Sequence, residues 1–172
     1  MIPTEIVKFL EGATVAFGAT RDDELVPQIH LVESWSVGED RRTITCLFPE
    51  NYSKRLLPSL ENNGRFSLVA LGSTCGPQAS HPPNLSVDFH ECYQFKGHFV
   101  GLRSAGEGDH PLVERTAERF KALFQPMFGF SDTACAARFG KPALAVTFEV
   151  REIYDQTPGP GAGARIHNEE ES

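Results

Sequence analysis

A chain of 172 residues, 40% hydrophobic and 10% aromatic, has the size and apolar content of one domain with one core. Its 16 basic and 23 acidic residues give a formal charge of −7 and a pI near 5.3, which exclude a broad nucleic-acid or anionic-membrane surface. A local basic cluster can still hold one small anion. No apolar run reaches the roughly 18 residues a membrane span requires, and Glu5 and Glu11 interrupt what would be a signal-peptide core, so the expected location is the cytoplasm. Cys46, Cys75, Cys92 and Cys135 show no CxxC and no zinc-type histidine spacing; they read as reduced, mostly buried thiols, with no metal site.

In chain order, Thr4 and Glu5 followed by Ile6, Val7, Phe9 and Leu10, with Gly12 as the stop, predict a short amino-terminal helix. Residues 13–20 form a strand, 21–24 a polar turn, and 25–37 its hairpin partner, with Pro27 marking an edge or a strand start. Residues 43–48 make the third strand. Leu56, Leu57 and Leu60 then follow helical spacing up to Asn63-Gly64, and Pro58, lacking an N–H, belongs in a first turn, which puts the helix start near Arg55. Residues 65–71 return to strand, and GSTCGPQASHPPN reads as a surface loop.

From Ser86 a long strand places Phe89, Tyr93, Phe95 and Phe99 on one face and His90, Cys92, Gln94, Lys96 and His98 on the other. Asp109 caps a helix with Pro111 in its first turn and Leu112, Val113, Thr116, Phe120, Leu123 and Phe124 as its buried stripe. A shorter helix runs from Ser131 to about Phe139, and residues 143–154 form the last strand. The expected organisation is a domain over 1–157 and a Gly/Pro-rich, acidic tail over 158–172, ordered only where something holds it. Six strands joined mostly by short turns, with three to four peripheral helices, predict a mainly β, antiparallel barrel.

The residues with chemical potential are few. Ser53, Lys54 and Arg55 combine a hydroxyl, two cations and an expected helix start, a pattern that suits a phosphate; the same triplet also reads as a capping serine before two solvated cations. Trp35 can stack on a planar ring or fill a core. His30 and Gln94 lie on strands where alternate residues line a pocket or face solvent. His90 and His98 are roughly 26 Å apart on one strand and cannot share a metal. No GxSxG, HExxH, P-loop or GxGxxG pattern occurs.

SKR followed by LENNGRFSLV, YQFKG at 93–97, and FEVREIYDQTPGPGAG at 148–163 together resemble the pyridoxamine 5'-phosphate oxidase-like, FMN-binding split-barrel superfamily over about residues 2–160. The match is to a flavin-nucleotide-binding subfamily and not to the oxidase itself: QIHLVESW lacks the oxidase's cations, and nothing after Asp155 corresponds to its basic carboxy-terminal segment. The resemblance implies a six-stranded split barrel and FMN as cofactor, with Ser53, Lys54 and Arg55 on its phosphate. It also implies a homodimer with the flavin across the interface, against His30, Leu31, Val32, Trp35 and Gln94. Phe48, Phe66, Phe89, Tyr93, Phe95 and Phe99 are then available for the apolar interface. The implied activity is that of an oxidoreductase on a small substrate, with NAD(P)H as a candidate reductant and no residue assigned as catalytic. Flavin storage, haem handling and an empty cleft are the alternatives within the same fold.

Overall fold

The computed structural model describes residues 1–13, 15–72, 91–134, 139 and 142–168, and among these the side chains of 50–55, 126–128, 167 and 168 are not described. The elements are α1 (Thr4–Gly12), β1 (Val15–Arg21), β2 (Pro27–Val32), β3 (Ser34–Val37), β4 (Thr43–Pro49), α2 (Glu50–Asn63), β5 (Arg65–Gly72), β6 (Glu91–Ser104), α3 (His110–Phe128), β7 (Pro142–Asp155) and β8 (Arg165–Asn168). One antiparallel sheet runs in the order β2-β1-β5-β6-β7-β4-β3, with β8 on the second half of β7.

The two ends of this order, β2 and β3, are consecutive in sequence. The expected single strand over 25–37 is therefore two, broken at Glu33, and its halves pair with different partners: β2 with β1, β3 with β4. The reason is visible in the burial. Val32, Glu33, Ser34 and Trp35 are all buried, which a strand of period two cannot do. At the break, Glu33 N donates to Leu47 O at 2.9 Å, so the chain steps across the seam of the curled sheet and leaves a barrel that is split there.

The interior is filled by Ile44, Phe48, Phe66, Leu68, Phe95, Val146, Phe148 and Ile153, to which α1 adds Ile6 and Leu10 and α2 adds Leu56 and Leu60. Gly18 makes room for the Phe66 ring, which stands where a Cβ at that position would go. Three of the aromatics expected at a subunit interface, Phe48, Phe66 and Phe95, are thus at 0–2% exposure in the core and unavailable to a partner. Phe89 lies outside the described residues. Helix α3 packs outside the barrel, through Val113 on Leu47 and Ala145, and through the Ser34 hydroxyl with Thr116 Oγ1 and Leu112 O.

Two local expectations change, the start of α2 and the cap of α3. Helix α2 begins at Glu50 rather than near Arg55, which makes Pro58 its ninth residue; the pyrrolidine ring lies on the exposed side, and the helix forgoes one main-chain bond there. Gly64 ends it in the left-handed conformation, φ +63°, as Asn63-Gly64 predicts. Asp109 does not cap α3 through its side chain. Its carboxylate instead accepts from Gly106 N and grips Arg103 through two bonds of 2.7 Å. The tail returns as β8: Asp155 N donates to Ala164 O, and Arg165 pairs with Tyr154. Of the helix expected from Ser131, residues 132–134 are helical, with Ser131 Oγ accepting from Ala134 N, and 135–138 lie outside the described residues. The loop at 73–84 and the start of the long strand at 86–90 lie outside them too.

Candidate functional site on the outer sheet face

Strand register sorts the expected site residues by face. Leu31 is opposite Phe17, Phe17 opposite Val69, Val69 opposite Gln94 and Gln94 opposite Tyr154, so these five form one row across β2, β1, β5, β6 and β7. The next row on the same face is Ile29, Ala19, Ser67, Lys96 and Glu152. Phe17 is 38% and Ile29 70% exposed, an apolar shelf left open by the described residues. His30 and Val32 take the opposite parity and face inward: His30 is 4% exposed and meets the Phe48 ring edge-on at 6.4 Å. Trp35 is in the core beside α1, where its Nε1 donates to Leu10 O at 2.9 Å. Leu31 and Gln94 therefore share a surface, and His30, Val32 and Trp35 lie behind it or elsewhere.

Gln94 is held on both sides. Its Nε2 donates to Ser67 Oγ at 3.1 Å, and its Oε1 accepts from Gln156 Nε2 at 3.2 Å. Ser53, Lys54 and Arg55 are the fourth to sixth residues of α2. In a helix beginning at Glu50 the open N–H groups precede Ser53, so the triplet contributes none of the free helix-end amides.

Beside the apolar shelf, the sheet face deepens into a cleft of about 640 Å³ lined by Ala19, Thr20, Arg21, Arg65, Phe66, Ser67, Lys96, Gly97, His98, Arg151 and Glu152. Four cationic side chains from four adjacent strands converge there against one carboxylate, in a protein of net charge −7. The local sign of the field is the reverse of the whole molecule's. A bulge produces this. Lys96 is opposite Glu152 but Gly97 is opposite Val150, so Arg151 is the extra residue of a bulge in β7, and Arg151 and Glu152 both turn outward between the buried Val150 and Ile153. Gly97 permits the close approach, since a Cβ on it would collide with the Glu149 carbonyl.

Several cleft groups are already engaged. Glu152 accepts from the Tyr154 hydroxyl at 2.9 Å, which raises the tyrosine's pKa, and it lies 3.7 Å from Arg165. Arg151 pairs with Glu149 at 2.6 Å, and Lys96 Nζ sits 4.4 Å from the centre of the Tyr154 ring. Arg21 and Arg65 have no carboxylate partner among the described residues. Thr20 is 7% exposed and its Oγ1 has no hydrogen-bond partner among them. No group of three or more metal-ligating side chains occurs among the described residues.

Sequence reading placed Lys96 and His98 on a polar face but missed Arg21, Arg65 and Arg151. These are far apart in the chain, and antiparallel pairing alone assembles them. One local signal existed: the consecutive polar pair Arg151-Glu152 inside an otherwise alternating strand is what a bulge looks like in sequence.

No protein-family model and no curated protein matches the chain. Among solved structures, HupZ of Group A Streptococcus superposes with a TM-score of 0.53 at 19% identity, covering 95% of this chain and 100% of that one. A conserved hypothetical protein of Mycobacterium tuberculosis gives 0.51 at 15%, covering 90% and 84%. A protein named F420 reductase gives 0.50 at 10%, covering 88% and 98%. At these identities the likeness shows the fold. The chain has the split-barrel fold expected from its resemblance to the pyridoxamine 5'-phosphate oxidase-like proteins.

Proposed function

We propose that this chain is a flavin-nucleotide-binding protein that holds FMN on the outer sheet face and works as an oxidoreductase on a small substrate. The observation that carries this is the row Leu31, Phe17, Val69 and Gln94: an exposed, apolar shelf that ends in an oriented carboxamide. That combination fits a planar, amphipathic ring. Phe17, Leu31 and Val69 exclude water from one ring face, and the Gln94 amide, fixed by Ser67 and Gln156, supplies a hydrogen bond to its polar edge. Lys54 and Arg55 supply charge to the phosphate, whose two negative charges at neutral pH favour paired cations. Bound there, the flavin supplies electron or hydride exchange, and the protein contributes binding, orientation and electrostatics. The likeness to a structure named F420 reductase supports a flavin-type cofactor in this fold.

A second copy of the chain completes the site. Phe17 and Ile29, with Leu25 at 65% and Val26 at 50% exposure in the adjoining hairpin, form an apolar surface that a homodimer would cover. The proposed interface is this one, and not the set of core aromatics. The test of the cofactor is direct: the purified protein is titrated with FMN and followed by quenching of flavin fluorescence. Saturable binding with the absorption band of oxidised flavin supports the assignment, and absence of binding removes it.

A further inference from the structure

We propose that the cleft over β1, β5, β6 and β7 is a second anion site, distinct from the helix α2 triplet, and takes a ligand bearing adjacent phosphoryl groups. Two observations separate it from a cofactor phosphate at Lys54. Arg65 follows directly on the end of α2 and Arg21 O accepts from Asn63 Nδ2 at 2.8 Å, so the cleft lies at the carboxy-terminal end of that helix. Lys54 is nine residues earlier, about 14 Å along the axis. One phosphate cannot be held at both ends.

The charge of the cleft also exceeds what a single monoester needs. Arg151 is paired with Glu149, but Arg21, Arg65 and Lys96 remain, and the one carboxylate lining the cleft, Glu152, is already taken up by Tyr154 and Arg165. The guanidiniums of Arg21 and Arg65, without an acidic partner among the described residues, present planar, paired N–H donors suited to phosphate oxygens. One hydroxyl adds a further donor: Ser67 Oγ accepts from Gln94 and keeps its own proton to give. Donors spread over four strands match the many non-coplanar oxygens of a diphosphate better than the two coplanar oxygens of a carboxylate. Neither point requires a bound flavin.

Inorganic pyrophosphate is the probe, with citrate as the carboxylate comparison, titrated calorimetrically into the full chain at low salt. Pyrophosphate is expected to bind, to weaken as salt rises, and to bind more tightly than citrate. Arg21→Gln with Arg65→Gln is expected to weaken it roughly tenfold or more, whereas Lys54→Ala with Arg55→Ala leaves it within about twofold. Thermal melts without ligand establish that each variant is folded, and Arg65→Lys alone provides a conservative second variant with intermediate loss. Unchanged pyrophosphate binding in the Arg21/Arg65 variant overturns the proposal, as does preference for citrate. Loss of FMN binding in that variant, with FMN binding intact in the Lys54/Arg55 variant, overturns the separateness of the two sites and makes the cleft the cofactor's own.

Discussion

Gly97 on β6 lies against the main-chain carbonyl of Glu149 on β7, with no room for even a methyl group between them. The contact is backbone to side-chain position, so no rotamer change relieves it, and the bulge that turns Arg151 into the cleft sits at this point. Gly97→Ala is expected to cost about 3 kcal/mol, the upper end for overpacking, read as a lowered midpoint in urea unfolding. A variant as stable as the wild type would mean that β6 and β7 are not this close.

The pair Arg103 and Asp109 ties the end of β6 to the start of α3. Hydrogen bonds from Arg103, then from the Gly106 amide, hold the Asp109 carboxyl down at about 2, against an ordinary 3.8. A folded-state pKa below the unfolded one adds stability that is complete above the unfolded value and disappears as pH falls through the folded value. The window is thus roughly pH 4 to pH 2. With Arg103 55% exposed and screened by solvent, the contribution is about 1 to 2 kcal/mol. Asp109→Asn is expected to lose this much at neutral pH and to lose less than the wild type on acidification across that window. Parallel pH profiles for the two proteins would count against the pairing.

Ile29 is the most exposed large apolar residue on the outer face. In a monomer, Ile29→Glu changes stability by no more than about 0.5 kcal/mol. In the proposed dimer it places a charge in an apolar interface. The wild type is expected to scatter light as a dimer at micromolar concentration and Ile29→Glu as a folded monomer; identical masses for the two would move the interface elsewhere.

Cys46 is fully buried, and burial pushes its thiol well above the ordinary range; Cys92, under the start of the tail, is pushed up by burial and then by Asp155. Both are expected to resist alkylation in the native protein and to react once it is unfolded, as mapped by mass spectrometry. Rapid native labelling of Cys46 would place it outside the core.

Much of the fold was legible because its strands alternate and its turns carry Gly, Asn and Asp: residues 43–48, 65–71 and 143–154 read from sequence lie within β4, β5 and β7. What was not legible follows from tertiary context. The break at Glu33 depends on two halves of one segment finding different partners, and nothing local in QIHLVESW states which. Pro58 suggested a helix start because a proline's missing N–H is harmless there, but α2 runs from Glu50 and takes the proline as its ninth residue on the exposed side. At the site, parity along β2 separates Leu31 from His30 and Val32, a distinction the residue types alone do not make. The cleft cations were invisible for the same reason: Arg21, Arg65 and Arg151 are neighbours only after the sheet has formed.

The most direct test of a flavin nucleotide on this face, with its phosphate at the start of α2, is a comparison of FMN and riboflavin binding to the wild type and to Lys54→Ala with Arg55→Ala. Removing two cations from a phosphate is expected to weaken FMN by about tenfold or more and riboflavin, which has no phosphate, by much less. Equal losses for the two ligands would contradict the phosphate assignment, and failure of the wild type to bind either would contradict the flavin site itself.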